Sequence, residues 1–144
     1  MTRSKRMQPV ARVAESRQQD AARILGERQR ALEEQLRRLE QLTEYRGDYA
    51  SRFEDGAEWI GLNVRDYRLF LSRLNEAIEE QAARVERARA ELEQSRGHWT
   101  ECRVHQDAVG KAMERFQEEE QLEERRRDQA ESDEFGQRSG SRRR

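Results

Sequence analysis

The feature that most limits the fold of this chain is a seven-residue apolar repeat in its second half. Apolar side chains recur there at alternating steps of three and four residues, over six heptads. Such a repeat is typical of an α-helix that packs as a left-handed coiled coil, because all of its members face one partner. It predicts a helix over residues 64–130. Eleven of the fourteen repeat positions are apolar: Leu71, Leu74, Ile78, Gln81, Val85, Ala88, Leu92, Ser95, Trp99, Cys102, Gln106, Val109, Met113 and Phe116.

A second apolar repeat precedes the first one along the chain. Its spacing also averages about 3.5 residues, which is the coiled-coil value. It predicts a helix over residues 9–53, with Pro9 in the first turn, where a missing N–H removes no intrahelical bond. The repeat is strongest at Leu32, Leu36, Leu39, Leu42, Tyr45, Tyr49 and Phe53. A weaker extension upstream consists of Val10, Val13, Ala21, Ile24 and Leu25.

The segment between the two repeats has the composition of a turn. Gly56 and Gly61 interrupt residues 54–63, and Asn63 suits the N-cap of a helix that begins after it. A short turn between two long helices makes an antiparallel pair, in which residues whose numbers sum to about 118–120 are neighbours. The sequence therefore predicts an all-α fold: two long helices in an antiparallel left-handed coiled-coil hairpin.

The domain organisation predicted from this pattern is simple. One hairpin occupies residues 9–130. Residues 1–8 are expected to form a flexible basic N-terminus, and residues 131–144 a disordered basic tail, because neither segment has apolar periodicity. Since the first helix is the shorter one, the second is expected to have no partner in its own chain beyond Gly110.

Composition and charge exclude several classes of function. The chain is 33% hydrophobic and 41% charged, with a net charge of -1, and Glu and Arg alternate along it. A nucleic-acid-binding protein would segregate its basic residues on one face, so no nucleic-acid partner is expected. Acidic residues on helix surfaces, without a pocket or a glycine-rich phosphate loop, predict no catalytic residue, no cofactor and no small-molecule substrate.

The sequence contains one cluster of metal-ligand types. His98, Cys102 and His105 have spacings that place them near one face of a helix. Zinc usually takes four ligands in a tetrahedron, and one helix cannot surround the ion. Cys102 also has a sufficient role as a small member of the repeat. We therefore predict no metal site.

No segment resembles a targeting or membrane-spanning sequence. The first ten residues lack the apolar core of a secretory signal, and the longest apolar runs are far too short to cross a bilayer. Cys102, the single cysteine, excludes an internal disulfide. These features predict a cytoplasmic protein.

Residues 66–81 contain more large apolar side chains than one seam can bury. Phe70 and Ala77 lie on one flank of the seam and share Leu74 and Gln81 with it, and the first helix repeats the spacing. In the predicted register Tyr49 lies beside Phe70. Because a two-helix hairpin has no third layer, such a flank is exposed unless a partner covers it, which predicts a binding surface. We call it the flank stripe: Arg38, Leu42, Tyr45, Tyr49, Phe70, Leu74, Ala77 and Gln81. The alternative is that these residues thicken the core near the turn.

Two segments carry a resemblance to a known family. The sequences LRRLEQLTEYRGDYASRF and YRLFLSRLNEAIEEQAARVE, together with Trp99, resemble the FliJ family of flagellar export proteins. The resemblance covers roughly Leu32 to Phe116. It implies a cytosolic coiled-coil hairpin similar to the central stalk subunit of rotary ATP synthases, associated peripherally with the inner membrane at the flagellar export apparatus.

The resemblance also implies partners and a binding surface. Family members bind the flagellar export ATPase and favour its ring, contact the export gate membrane protein, and handle export chaperones. The gate-contacting surface of the family corresponds to the flank stripe. At two of its positions, Arg38 and Gln81, this sequence departs from the glutamine and histidine expected there.

Two alternatives to a flagellar export protein remain at this point. One is the equivalent stalk protein of a virulence type III secretion system, for which the physical features are the same. The other is an unrelated structural coiled coil that dimerises and buries the flank stripe between identical chains.

Overall fold

Two helices make up nearly all of the described part of the chain. The structure, a computed structural model, describes residues 1–55 and 64–142. Helix α1 runs from Arg3–Asp55 and helix α2 from Val64–Arg142, and these described ranges contain no strand. The helices pack against each other in antiparallel fashion, which confirms the predicted all-α coiled-coil hairpin. The predicted turn, with Gly56, Gly61 and the Asn63 cap, lies outside the described residues.

The chain divides into two compact units. The central unit is Ala21–Trp99, and the terminal unit combines Met1–Asp20 with Thr100–Arg144. Each unit consists of one segment of α1 packed against one segment of α2.

The seam of α2 is the one predicted from its repeat. All fourteen predicted positions are buried or half-buried. The most deeply buried in the central unit are Val85, Leu92 and Leu74, with exposed fractions of 3%, 8% and 8%. In the terminal unit Val109 is buried in the seam, with an exposed fraction of 7%. The heptad pattern therefore identifies the buried stripe of this helix along both units.

The seam of α1 differs from the prediction. Leu36 and Tyr45 were expected in the seam but are 37% and 53% exposed, and Val10 and Val13 are exposed as well. Most of the buried and half-buried positions instead follow one seven-residue frame, which includes small and polar residues and is interrupted at the exposed Arg28 and Arg46. Their members are Ser4, Met7, Ala11, Ala14, Gln18, Ala21, Leu25, Leu32, Gln35, Leu39, Leu42, Tyr49 and Phe53. A search for large apolar residues finds only part of this frame, because alanine and glutamine occupy many of its positions.

A buried amide pair crosses the seam of the central unit. Gln81 is 5% exposed, and its Nε2 donates hydrogen bonds to the backbone oxygen of Gln35 at 2.9 Å and to the Gln35 side-chain oxygen at 2.8 Å. A polar pair inside an apolar seam fixes the register, because sliding the helices leaves both amides unsatisfied. The ion pair between Arg28 and Glu91, at 2.8 Å, lies in the predicted register.

The first turn of α1 is capped by Thr2 and by Glu120 of α2. The helix begins at Arg3, six residues before the predicted start at Pro9. Thr2 Oγ1 accepts a hydrogen bond from the Lys5 N–H at 3.4 Å. The Glu120 carboxylate accepts from the Ser4 N–H at 3.0 Å and from the Ser4 hydroxyl at 2.7 Å. These contacts satisfy N–H groups that a helix start leaves without partners, which explains why the helix extends past Pro9.

Pairing with α1 extends further along α2 than expected. Gly110 was expected to be the last paired position, but Glu120 contacts Ser4 and the Arg3 guanidinium lies 5.8 Å from the centre of the Phe116 ring. The earlier start of α1 accounts for the difference. Beyond Glu120 the side chains of residues 121–140 are exposed.

The segment expected to be a disordered tail is helical as far as Arg142. Contacts one helical turn apart support it, such as the Arg138–Glu134 ion pair at 3.1 Å and the hydrogen bond from Gln129 to Asp133 at 3.1 Å. Each such pair stabilises a helix by about 0.2–0.5 kcal/mol. In the described parts of both helices no stretch is long and apolar enough to cross a membrane.

The Glu120 cap predicts a pH-dependent helix start. Hydrogen bonds from the Ser4 N–H and then from the Ser4 hydroxyl lower the pKa of the Glu120 carboxyl below its usual value of 4.5. A carboxyl whose pKa is lower in the folded state stabilises the fold above its unfolded pKa and loses that effect as pH falls through the folded pKa. We expect the Ser4 amide to lose exchange protection as the pH falls through the lowered pKa of Glu120, measured by NMR hydrogen exchange. Glu120→Gln should remove this pH dependence, whereas Glu119→Gln should keep it; a pH-dependent Ser4 amide in Glu120→Gln would contradict the assignment.

The amide pair predicts coupled stability of two positions in the seam. Gln81→Ala should lower the free energy of unfolding by about 1–2 kcal/mol, because it removes two hydrogen bonds and leaves a gap. The loss in a Gln35→Ala/Gln81→Ala double variant should be smaller than the sum of the single losses. Urea unfolding followed by circular dichroism measures these values, with the exposed Gln41→Ala as control. Strictly additive losses would show that the two amides do not interact.

Candidate partner-binding surface

All eight residues of the flank stripe lie in the central unit. On each helix they follow steps of four, three and four residues, so each set occupies one helix face. The α1 set is Arg38, Leu42, Tyr45 and Tyr49, and the α2 set is Phe70, Leu74, Ala77 and Gln81. The antiparallel packing of the helices brings the two sets together.

Aromatic rings form the centre of the stripe. The Phe70 ring lies 4.2 Å from that of Tyr49 and 6.2 Å, edge-on, from that of Tyr45. The Tyr45 and Tyr49 rings are 6.5 Å apart. The predicted neighbours Tyr49 and Phe70 are therefore confirmed. Ring pairs at such distances add about 0.5–1.5 kcal/mol beyond the burial of their area.

Two further aromatic residues extend this cluster towards the end of α1. Tyr67 stacks on Tyr49 at 5.5 Å and on Phe53 at 3.6 Å. The apolar repeat predicts Phe53 in the seam of α1, and it does not include Tyr67. A signal for the wider cluster was present, because Tyr67 and Phe53 fit the same register as Phe70 and Tyr49.

The stripe contains an exposed part and a buried part. Leu74 and Gln81 are only 8% and 5% exposed, so they belong to the seam and support the surface from below. Tyr45 is 53% exposed. The residues that a partner can reach are the exposed or half-buried ones: Arg38, Leu42, Tyr45, Tyr49, Phe70 and Ala77.

A shallow open groove crosses one end of the stripe. Four predicted residues line it, namely Arg38, Leu42, Tyr45 and Gln81, so the structure brings Arg38 and Gln81 to the same groove, as the predicted register implies. Gln41 also lines the groove and was missed. The signal that could have identified Gln41 is its position three residues after Arg38 and four before Tyr45, which places it on the same face.

The Tyr49 hydroxyl has a raised pKa. Burial is the main cause, followed by the charges that Tyr45, Tyr67 and Asp66 carry when ionised. Tyr49 therefore remains a neutral phenol at physiological pH. A neutral ring cluster suits apolar contact with a partner.

The terminal unit has a separate apolar groove. Val10 and Val13, 43% and 50% exposed, occupy it instead of the seam in which they were expected. Arg17 and His105 supply the polar part of its lining. The other lining residues are Pro9 and Ala14. Throughout residues 1–55 and 64–142 no group of three or more His, Cys, Asp or Glu side chains could hold a metal ion.

Comparisons with known proteins give one consistent result. The sequence model of the family described as "Flagellar FliJ protein" matches residues 3–144. A protein from Salmonella typhi named "Flagellar FliJ protein" is 30% identical to this chain over 132 residues, which is 90% of each chain. No solved structure matches. Since the family match spans almost the whole chain and agrees with the helical hairpin described above, this chain belongs to the FliJ family of flagellar proteins.

Proposed function

We propose that this protein is a non-enzymatic component of the flagellar type III export apparatus. In this proposal it binds the export ATPase, promotes assembly of the ATPase ring, and couples the ATPase and export chaperones to the export gate. It acts in the cytoplasm, at the inner membrane, because the gate is a membrane protein. Membership of the FliJ family along almost the whole chain supports the flagellar assignment.

The observation that carries the coupling role is the exposed aromatic surface of the central unit. Tyr45 leaves half of its side chain exposed while its ring contacts Phe70 and Tyr49. A ring held in place by its neighbours loses little conformational entropy on binding, which is why tyrosine is frequent at the centre of interfaces. The seam below the ring is complete without it, because Leu74 and Gln81 already face α1. The fold therefore does not require Tyr45 to be this exposed, which supports a contact with a partner; in the proposal that partner is the gate.

The terminal unit supports a separate contact with the ATPase. Its groove exposes Val10 and Val13, and α2 continues past Glu120 with the exposed side chains of residues 121–140, half of which are charged. Exposed apolar side chains beside charged ones are typical of protein-binding surfaces. In the proposal the central unit contacts the gate and the terminal unit contacts the ATPase, so one chain can couple them.

Truncation of the exposed ring should separate gate binding from folding. Tyr45→Ala should weaken binding to the cytosolic domain of the cognate gate by about tenfold or more, as expected for a central aromatic anchor. Helicity by circular dichroism and capture of the ATPase should be unchanged. Swarming motility should fall with gate binding. Calorimetric titration and a pull-down with the purified ATPase measure the two interactions.

Leu69→Ala is the matched control for Tyr45→Ala. Leu69 is 52% exposed and lies outside the aromatic cluster, so its truncation removes a similar fraction of exposed apolar surface. Normal gate binding and motility of Tyr45→Ala would refute the coupling role. A wild-type dimer in sedimentation at micromolar concentration that Tyr45→Ala converts to a monomer would identify the stripe as a contact between identical chains instead.

A charged residue in the apolar groove of the terminal unit should weaken ATPase binding and leave gate binding unchanged. Val13→Asp should reduce capture of the ATPase and formation of its hexamer, because the new carboxylate would be desolvated in the contact. Gate binding should be unchanged. Val104→Asp is the control, since Val104 is 62% exposed in the same unit and outside the groove. Equal effects of the two variants on ATPase capture would argue against the groove as the contact.

A further inference from the structure

The groove in the flank stripe contains one formally charged side chain. Its lining residues are Arg38, Gln41, Leu42, Tyr45 and Gln81. Leu42 and Tyr45 give it apolar walls. The Gln81 side-chain nitrogen already donates two hydrogen bonds to Gln35, so its orientation is fixed. Arg38 is therefore the group that can give this groove a preference for the charge of its partner.

Arg38 already forms an ion pair with a carboxylate of the same helix, that of Glu34. Its Nη2 donates to Glu34 Oε1 at 2.7 Å, and the two side chains are 51% and 57% exposed. The two residues are one helical turn apart and exposed to solvent, and ion pairs of that kind are weak. A guanidinium has five N–H donors, and this contact uses one of its nitrogens. A second carboxylate can therefore bind Arg38 and displace Glu34 without breaking a strong interaction.

We propose that this groove binds a partner segment in which a large apolar side chain lies beside a carboxylate, and that this carboxylate replaces Glu34 at Arg38. The inference rests on the proposed function, because the partner is the one that the flank stripe binds. The apolar side chain packs against Leu42 and Tyr45. The carboxylate accepts two parallel N–H bonds from the guanidinium, the geometry that arginine favours.

Glu34 gives the groove selectivity as a competitor within the same chain. A partner with a carboxylate exchanges one ion pair for another and keeps Arg38 satisfied. A partner without one gains only the apolar contact, and a basic side chain at this point is repelled by Arg38. Charge pairs of this kind contribute more to the choice of partner than to affinity.

The test is a calorimetric titration of full-length variants with the cytosolic domain of the cognate gate protein. Arg38→Gln should weaken binding about tenfold, the loss expected for a charge-assisted hydrogen bond. Arg38→Lys should lie between wild type and Arg38→Gln, because it keeps the charge and loses the paired donors. Glu34→Gln should tighten binding about twofold, since Arg38 is then free. In an Arg38→Gln background, Glu34→Gln should have no effect.

The salt dependence of binding gives a second, independent measurement. The affinity of the wild type should fall as NaCl concentration rises, and the affinity of Arg38→Gln should fall less steeply. The matched control pair is Arg23 and Glu27, an exposed pair with the same spacing at 2.9 Å in the central unit and outside the groove. Arg23→Gln and Glu27→Gln should bind the gate domain as tightly as wild type. Circular dichroism establishes that every variant is folded.

The outcomes separate this inference from the function on which it rests. If the wild type binds the gate domain and Arg38→Gln binds equally tightly with the same salt dependence, the inference is overturned and the proposed function stands. Weaker binding by Glu34→Gln would also overturn it, because Glu34 would then be a contact and not a competitor. If the folded wild type does not bind the gate domain at all, both fail.

Discussion

Contact along one narrow seam between two helices is the interaction on which the rest of this structure depends. With 41% of its residues charged, the chain has few large apolar side chains to bury, and none of the described core residues is large and fully buried. Small residues such as Ala14, Ala21 and Ala88 let the helices approach closely. Each contributes little area, so stability accumulates over many heptads. A change at one position therefore weakens the seam only locally. Because the seam uses one face of each helix, the flanks remain available for binding.

The fold could be predicted from the sequence where the repeat consists of large apolar residues. All fourteen positions predicted for the α2 seam are buried or half-buried. The α1 seam was predicted only in part. Gln35 occupies a seam position as one half of a pair, and whether glutamine suits that position depends on Gln81 across the interface. The start of α1 was missed for a similar reason. Ser4 begins the buried frame of α1 because Glu120, distant in sequence, accepts hydrogen bonds from its N–H and its hydroxyl.

The sequence could predict which residues form the candidate surface but not how deeply each of them is buried. Spacing alone identified the flank that contains Tyr45, Tyr49 and Phe70. It could not show that Leu74 and Gln81 are buried while Tyr45 is exposed, since that difference depends on how the side chains of the two helices pack. Polar members such as Gln41 carry no apolar signal. The Glu34–Arg38 pair has the i,i+4 spacing that many Glu and Arg residues of this chain share, so the spacing alone does not single it out.

The composition of the terminal unit has a consequence for the order in which the chain folds during synthesis. The central unit, Ala21–Trp99, is contiguous and can assemble as soon as those residues have left the ribosome. The terminal unit joins the first twenty residues to a segment that begins at Thr100, so its N-terminal half must wait for most of the chain to be translated. Its closure then needs little further search, because the central unit, once folded, shortens the loop that must be closed. The segment Met1–Asp20 thus finds its partner only after the residues that follow Thr100 have been made.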